Sequence, residues 1–86
     1  MSAPVIKSYS ENTDQANCMV VYMDNIAIWY SYKTPVAFKV LGKPLDVRQN
    51  DWSTTTGKHL NWIDGGNKKD RIPGAEFVKL LADATK

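Results

Sequence analysis

Two short runs of β-branched and aromatic residues, separated by one polar pair, constrain this sequence more than any other feature. The runs occupy residues 18–22 and 26–32, and Asp24-Asn25 stands between them. Such side chains favour strands, and Asp and Asn tolerate the positive φ that a tight primed turn requires. The pattern predicts a β-hairpin. Apolar groups at both odd and even positions of the second run predict a central strand that is covered, at least partly, on each face.

Further short strands are predicted on either side of this hairpin. The next strand alternates, and its apolar positions are expected on one face: Val36, Phe38 and Val40. Thr34-Pro35 is expected at a turn or strand edge, because proline lacks the N–H that a sheet ladder needs. After a turn at 42–44, residues 45–48 predict another strand, and residues 5–9 suit a short edge strand.

From Asp51 onward the hydrophobic period becomes that of helices. A stripe at positions i, i+3, i+4 and i+7 predicts a first helix, comprising Thr56, His59, Leu60 and Ile63. Ser53 or a threonine after it is the expected N-cap, and the glycines at 65–66 are expected to end this helix in a flexible loop. A second helix is predicted after Pro73. Its apolar stripe comprises Phe77, Leu80, Leu81 and Ala84.

These elements predict an α+β fold: a small antiparallel sheet of three to five strands packed by two short helices. The 86 residues, with a mass of 9.7 kDa, suffice for one domain. We assign residues 18–86 to that domain. Residues 1–17 are polar and irregular, and we expect a flexible N-terminal lead-in or an edge strand there.

Composition excludes several classes of function. A net charge of +2 excludes a histone-like polycation. One cysteine and one histidine exclude an internal disulfide framework and a Cys/His zinc site. The longest apolar run, residues 18–23, is far shorter than the ~20 residues of a membrane span, and no secretory signal follows Met1. We therefore expect a soluble intracellular domain, with no cofactor, metal or membrane partner.

Catalytic chemistry finds no support in the residue pattern. The segment Thr55-Thr56-Gly57-Lys58 resembles part of a phosphate-binding loop, but Trp52 and His59 occupy positions where that loop requires glycine and Ser or Thr. Cys18 lies in an apolar strand, where a free cysteine behaves as a small hydrophobe. The carboxylates are scattered and mostly lie near turns. We expect a protein that is not an enzyme.

His59 has two interpretations. In the first, it is half-buried, bonds a backbone carbonyl and orients the first helix on the sheet. In the second, it contacts an anionic partner together with Lys58. The N-terminus of that helix would then form an anion cradle, because its unpaired N–H groups and dipole favour negative charge. The cradle comprises Ser53, Thr54, Thr55 and Lys58.

Basic residues are concentrated in the middle of the chain. Residues 33–71 hold eight bases and four acids, a net charge of +4, whereas residues 1–32 carry −2. If the bases share one face, they would attract phosphate backbones, and tryptophans could stack on bases. The competing interpretation is ordinary edge protection by lysines with tryptophans in the core. The bases considered as contacts are Lys33, Lys58, Lys68, Lys69 and Arg71.

Aromatic residues suggest a protein partner instead. Large amphipathic rings dominate contact surfaces between proteins, and this chain has three tryptophans and four tyrosines. Trp29 is the ring expected at the surface, because it lies on the less apolar face of its strand. Its exposure would favour a partner-binding surface and its burial would weaken that hypothesis. An edge strand could also pair two copies of the chain as a homodimer.

Two separated motifs resemble a family of small uncharacterised proteins of tailed bacteriophages. The motifs are Tyr-x-Thr-Pro-Val-Ala at residues 32–37 and Ser-x-Thr-Thr-x-Lys-His-x-Asn at residues 53–61. The resemblance covers about residues 20–63. It implies a phage-encoded protein in the cytoplasm of a host bacterium, and it brings no catalytic or cofactor residue. We therefore expect a small accessory protein that binds a host or phage macromolecule, with inhibition of a host enzyme or defence system as one such role. Nucleic-acid binding through residues 33–71 is the alternative.

Overall fold

A five-stranded antiparallel sheet forms the frame of the protein. The computed structural model describes residues 4–9, 18–49, 54–66 and 68–85, with the backbone alone at 54–56 and 68. Each strand pairs with its neighbour in the chain, in the order β1-β2-β3-β4-β5. The strands are β1 (Val5–Ser8), β2 (Cys18–Tyr22), β3 (Ile26–Ser31), β4 (Thr34–Val40) and β5 (Asp46–Val47), and the helices are α1 (Thr54–Asp64) and α2 (Gly74–Ala84). The predicted α+β fold class is confirmed.

The β2–β3 hairpin is confirmed, but its turn differs from the predicted one. Tyr22 pairs with Ala27, and the Met23 N–H donates to the Ile26 carbonyl at 2.9 Å. Asp24 and Asn25 form the turn between them without a positive φ at either residue. The prediction of a primed turn was therefore wrong. Asp and Asn favour turns in general, and their presence does not fix the turn type.

The β3–β4 connection lies two residues earlier than Thr34-Pro35. Ser31 pairs with Thr34, so Tyr32 and Lys33 form the turn and Pro35 lies inside β4. A register shift follows Trp29, because Trp29 pairs with Ala37 while Tyr30 pairs with Pro35. Val36 is the additional residue of this bulge, and a bulge is a place where a strand tolerates proline. The bulge also removes Val36 from the face of Phe38, which corrects the predicted alternation.

Helix α2 covers one face of the sheet. Phe77 of α2 is fully buried against Ile26, Ile28 and Phe38, and the two phenylalanine rings lie 5.6 Å apart at 60°. Leu81 and Ala84 pack against the same cluster. Leu80, predicted in this stripe, is 37% exposed. At about 100° per residue, Leu80 lies at the margin of a stripe centred near Phe77.

Helix α1 covers part of the opposite face. Leu60 and Ile63 pack with Trp29, Ala37 and Val47. Successive strand residues point to opposite faces, so Trp29 lies on the other side of β3 from Ile28. The central strand therefore has apolar contacts on both faces, as its sequence predicted. None of the described helices is long and apolar enough to cross a membrane.

Candidate functional site

A buried serine–histidine pair joins α1 to the end of β3. Ser31 Oγ lies 2.6 Å from His59 Nδ1, and the two residues are 3% and 1% exposed. The first of the two interpretations of His59 expected a half-buried ring; the ring is instead fully buried, and the Ser31 side chain is one of its partners. The pair lies next to Cys18, which is opposite Ser31 in the sheet register and fully buried.

Three aromatic rings surround the His59 imidazole. Trp62 stacks on it with ring centroids 5.6 Å apart and planes inclined by 25°. Tyr32 lies against it at 5.6 Å and 42°, and Tyr9 meets it edge-on at 6.5 Å and 86°. We name Tyr9, Ser31, Tyr32, His59 and Trp62 the histidine cluster. It connects the residue that follows β1, the end of β3 and the β3–β4 turn to α1.

Tyr32 holds an unusual backbone conformation within this cluster. Its φ is +58°, the only positive φ of a non-glycine residue in the described part of the chain. A positive φ at the first of two central turn residues is the pattern of a type II′ turn, where glycine is preferred. The ring is 48% exposed and lies against His59. The turn therefore combines backbone strain with a partly exposed aromatic ring beside the exposed Lys33.

Because of this strain, we expect glycine to give a more stable protein than alanine at residue 32. We expect Tyr32→Gly to be more stable than Tyr32→Ala by about 1 kcal/mol, because both lose the ring and only glycine adopts the positive φ without a clash. Urea unfolding of the two variants measures the difference. At Lys33, which has no positive φ, alanine is expected to be at least as stable as glycine. Equal stability of the two Tyr32 variants would contradict the strain.

Tyr9 enters the cluster as a neutral hydrogen-bond donor. Its hydroxyl donates to the Tyr30 carbonyl at 2.7 Å. Burial, and secondarily the nearby Cys18, raises the pKa of Tyr9 well above its ordinary value of 10.0. The phenol therefore stays protonated, which suits a donor to a carbonyl and not a general base.

The raised pKa of Tyr9 predicts a loss of stability at alkaline pH. Tyr9 ionises first in the unfolded chain, so its contribution is complete below pH 10.0 and decreases as the pH rises toward the folded pKa. The slope is at most about 1.4 kcal/mol per pH unit, reduced by solvent screening of the partly exposed ring. Urea unfolding between about pH 9 and pH 11 should show a smaller decline for Tyr9→Phe than for the native chain. Parallel declines would contradict the prediction.

The predicted anion cradle is only partly within the described structure. Ser53 lies outside the described residues, and Thr54 and Thr55 are described only as backbone of the first turn of α1. Lys58 is exposed, whereas His59 beside it points into the histidine cluster. An anion at this helix terminus would therefore meet Lys58 and not His59, which corrects the expected pairing of the two side chains.

Arg71 was predicted as a partner contact and is instead buried inside the fold. Its Nε and Nη2 donate to the two carboxylate oxygens of Asp64 at 2.8 and 2.9 Å, and Nη2 also donates to Asn61 Oδ1 at 3.0 Å. The side chains of Arg71 and Asp64 are 4% and 8% exposed. Sequence could not distinguish this base from exposed ones, because its partners lie seven and ten residues away on α1. Lys69 is exposed, and the backbone of Lys68–Asp70 forms a 3-10 turn where a flexible loop was predicted.

Trp29 is half-buried and lines an open groove. The groove lies at the end of β3 next to the β2–β3 turn, and the Tyr32–Lys33 turn lies at the other end of that strand. The groove has a volume of about 360 Å³. Three of its apolar side chains are exposed: Tyr22 and Met23 at 41% each and Leu41 at 78%. We name it the tip groove and define it by Tyr22, Met23, Asp24, Trp29, Lys39 and Leu41.

Sequence analysis found Trp29 but missed the other apolar residues of the tip groove. Tyr22, Ala27 and Lys39 pair across β2, β3 and β4 and share the face of Trp29. Leu41 adjoins them through the turn at Val40–Lys43, closed by the Lys43 N–H and the Val40 carbonyl at 2.9 Å. The sequence feature that indicates an exposed Leu41 is the apolar pair Val40-Leu41 directly before the turn residue Gly42, whose φ is +83°. An apolar residue at the tip of a turn lies outside the hydrophobic core, and Leu41 is accordingly 78% exposed.

The chemistry available at these sites is limited by burial. Ser31 and His59 are residue types that can serve as a nucleophile and a base, yet both are buried within the histidine cluster. Among the described residues, no group of three or more His, Cys, Asp or Glu side chains is arranged to hold a metal ion. At the two ends of β3, the Tyr32–Lys33 turn and the tip groove are exposed.

Comparison with known proteins identifies a family. Residues 3–79 match a family of unknown function, DUF8033. The chain belongs to this family. The DUF8033 match extends through β1 and most of α2, beyond the segment that carried the phage resemblance. No curated protein and no solved structure matches the chain, so the DUF8033 assignment brings no activity or ligand, and the phage origin stays a prediction.

Proposed function

We propose that this protein acts by contact, binding another protein through the tip groove. The observation that supports this most directly is the exposure of Tyr22, Met23 and Leu41 around the half-buried Trp29. Large apolar and aromatic side chains that converge on one depression are typical of contact surfaces. Together, Trp29, Tyr22, Met23 and Leu41 provide apolar area that a partner can desolvate.

The interior of the fold supports a role without catalysis. A nucleophile must reach its substrate, and Ser31 is 3% exposed. Its potential base, His59, is 1% exposed and covered by three rings. The Tyr9 phenol has a raised pKa and donates to a carbonyl. The polar side chains of this cluster thus make hydrogen bonds within the fold. This suits a structural role for the cluster, with binding at an exposed surface elsewhere.

The proposal also concerns the identity of the partner. Following the resemblance of residues 32–37 and 53–61, the protein is phage-encoded and acts in the cytoplasm of a host bacterium. Its partner is then a host or phage macromolecule, and occupation of a host enzyme or defence protein would inhibit it. A protein of 86 residues can do this by blocking an existing interface.

Crosslinking at the groove tests the proposal. A photoreactive residue replaces Leu41, which is 78% exposed, and the protein is irradiated in a bacterial lysate. We expect one discrete crosslinked protein, lost with Met23→Asp in the same chain. The matched control places the photoreactive residue at Val78, a position on α2 that is 55% exposed, and should not capture that protein. Equal capture from both positions, or none from Leu41, would refute the proposal.

Nucleic-acid binding is a second candidate, supported by the β3–β4 turn. Tyr32 presents a ring that is 48% exposed and braced by His59, next to the exposed Lys33. A braced ring beside a cation suits stacking on a base with a nearby phosphate. Arg71 does not contribute, since Asp64 neutralises it. Binding of a single-stranded oligonucleotide that weakens with salt and with Tyr32→Ala would favour this candidate; binding independent of salt would dismiss it.

A further inference from the structure

The tip groove occupies the part of a sheet face that α1 leaves exposed. Helix α1 packs over Trp29, Ala37 and Val47, while the next cross-strand row toward the β2–β3 turn is Val5, Tyr22, Ala27 and Lys39. Val5 is 50% exposed, Tyr22 is 41% exposed, and Lys39 is exposed. This row spans four strands. At about 4.8 Å between strands it is about 14 Å wide, slightly more than the 10–12 Å diameter of an α-helix.

The backbone of this row excludes an added strand. Tyr22, Ala27 and Lys39 lie in consecutive paired strands, and their N–H and C=O groups take part in ladders within the sheet. An extended peptide binds a sheet by pairing with free backbone groups at an edge. On the face of a sheet only side chains are presented. Sheet faces in α+β proteins are covered by helices, and both helices of this protein already pack in that way.

The charges of the groove set a further requirement on the partner. Lys39 lies at the β4 end of the exposed row, paired with Ala27, and Asp24 lies at the β2–β3 turn. One base and one acid give the groove no net charge, which does not suit a phosphate backbone. A helix laid over the row must place a carboxylate near Lys39, because covering an ammonium without a partner is costly.

We propose that the tip groove binds an amphipathic α-helix of a protein partner, beside α1, with a carboxylate in its apolar stripe opposite Lys39. This proposal rests on the proposed function and names the chemistry of its partner. The helix supplies apolar residues at i, i+3, i+4 and i+7 to Tyr22, Met23 and Leu41. The acidic residue lies between them and pairs with the Lys39 ammonium.

Selection from a displayed library of random peptides, with the intact protein as bait, tests this directly. We expect enrichment of helical patterns that carry Asp or Glu within the apolar stripe. A selected peptide should bind the Lys39→Glu protein about tenfold more weakly. Replacing the peptide carboxylate by lysine should restore affinity for Lys39→Glu. The matched control is Lys33→Glu at the opposite end of β3, which should leave the dissociation constant unchanged.

The possible outcomes separate the two proposals. Enrichment of alternating, extended sequences, or of helices without the acidic residue, would overturn the helix proposal while crosslinking at Leu41 could still support protein binding. Peptides that bind Leu41→Asp as well as the native chain would overturn the assignment to the groove. Self-association of the native protein that Leu41→Asp abolishes would assign the groove to a second copy and overturn the proposal. Failure of the crosslinking experiment at Leu41 would refute the proposed function itself.

Discussion

Replacing Phe77 by alanine is expected to lower the free energy of unfolding by about 3–5 kcal/mol. Phe77 is fully buried and is the one residue of α2 that lies entirely inside the described core. Its ring packs on Phe38 and closes the cluster of Ile26 and Ile28. Alanine would leave a cavity there, because the sheet beneath is fixed by its own ladders. A chain of this size has roughly 4–13 kcal/mol of stability in total.

Urea unfolding followed by far-UV circular dichroism measures this loss. Val78→Ala is the matched control, because Val78 follows Phe77 on the same helix and is 55% exposed; a change within about 0.5 kcal/mol is expected there. Phe77→Leu should retain part of the stability, since it fills most of the space. Similar losses for Phe77→Ala and Val78→Ala would show that α2 does not close the sheet through this ring.

The strands and helices of this fold could be predicted because their signals are local. Alternation and residue type identified β2 and β3, and the stripe of Leu60 and Ile63 identified α1. Each signal lies within about ten residues and reflects the geometry of a single element. The antiparallel arrangement could be predicted because short connections join strands that follow one another in the chain.

The bulge and the β3–β4 turn could not be predicted in the same way. Residue propensity places Pro35 at a strand boundary, yet the register shift opposite Tyr30 accommodates it inside β4. Nothing local indicates that Tyr32 has a positive φ, since Gly and Asn are the residues that favour it. The ring of Tyr32 packs on His59, a residue far along the chain, and such tertiary contacts override local preference.

In the candidate sites too, local features could be predicted from the sequence and tertiary contacts could not. The prediction that Trp29 lies at the surface was partly right, because it is half-buried and lines the tip groove. Leu41 was missed, since exposure of an apolar residue depends on what covers it in three dimensions. The Ser31–His59 pair is separated by 28 residues. Neither residue alone carries a signal for the other.

Replacing Arg71 by methionine is expected to destabilise the fold by about 3–5 kcal/mol. Methionine retains much of the apolar stem but removes the guanidinium that bonds both carboxylate oxygens of Asp64 and the side chain of Asn61. The Asp64 carboxylate is 8% exposed and would lose the Arg71 guanidinium. The bond from the Gly66 N–H, at 2.9 Å, does not neutralise a charge. Chemical unfolding with urea measures the effect.

Two comparisons decide whether Arg71 acts inside the fold or on a partner. Lys69→Met removes an exposed charge two residues away, and its effect on stability should stay within about 0.5 kcal/mol. Asp64→Asn in the Arg71→Met background removes the uncompensated charge, and should recover about 1 kcal/mol or more. A base that served a partner would show the opposite result: unchanged stability with Arg71→Met and weakened binding. Because Arg71 is buried and its charge is paired with Asp64, it is not available for contact with a phosphate backbone, and this favours the apolar groove as the contact surface.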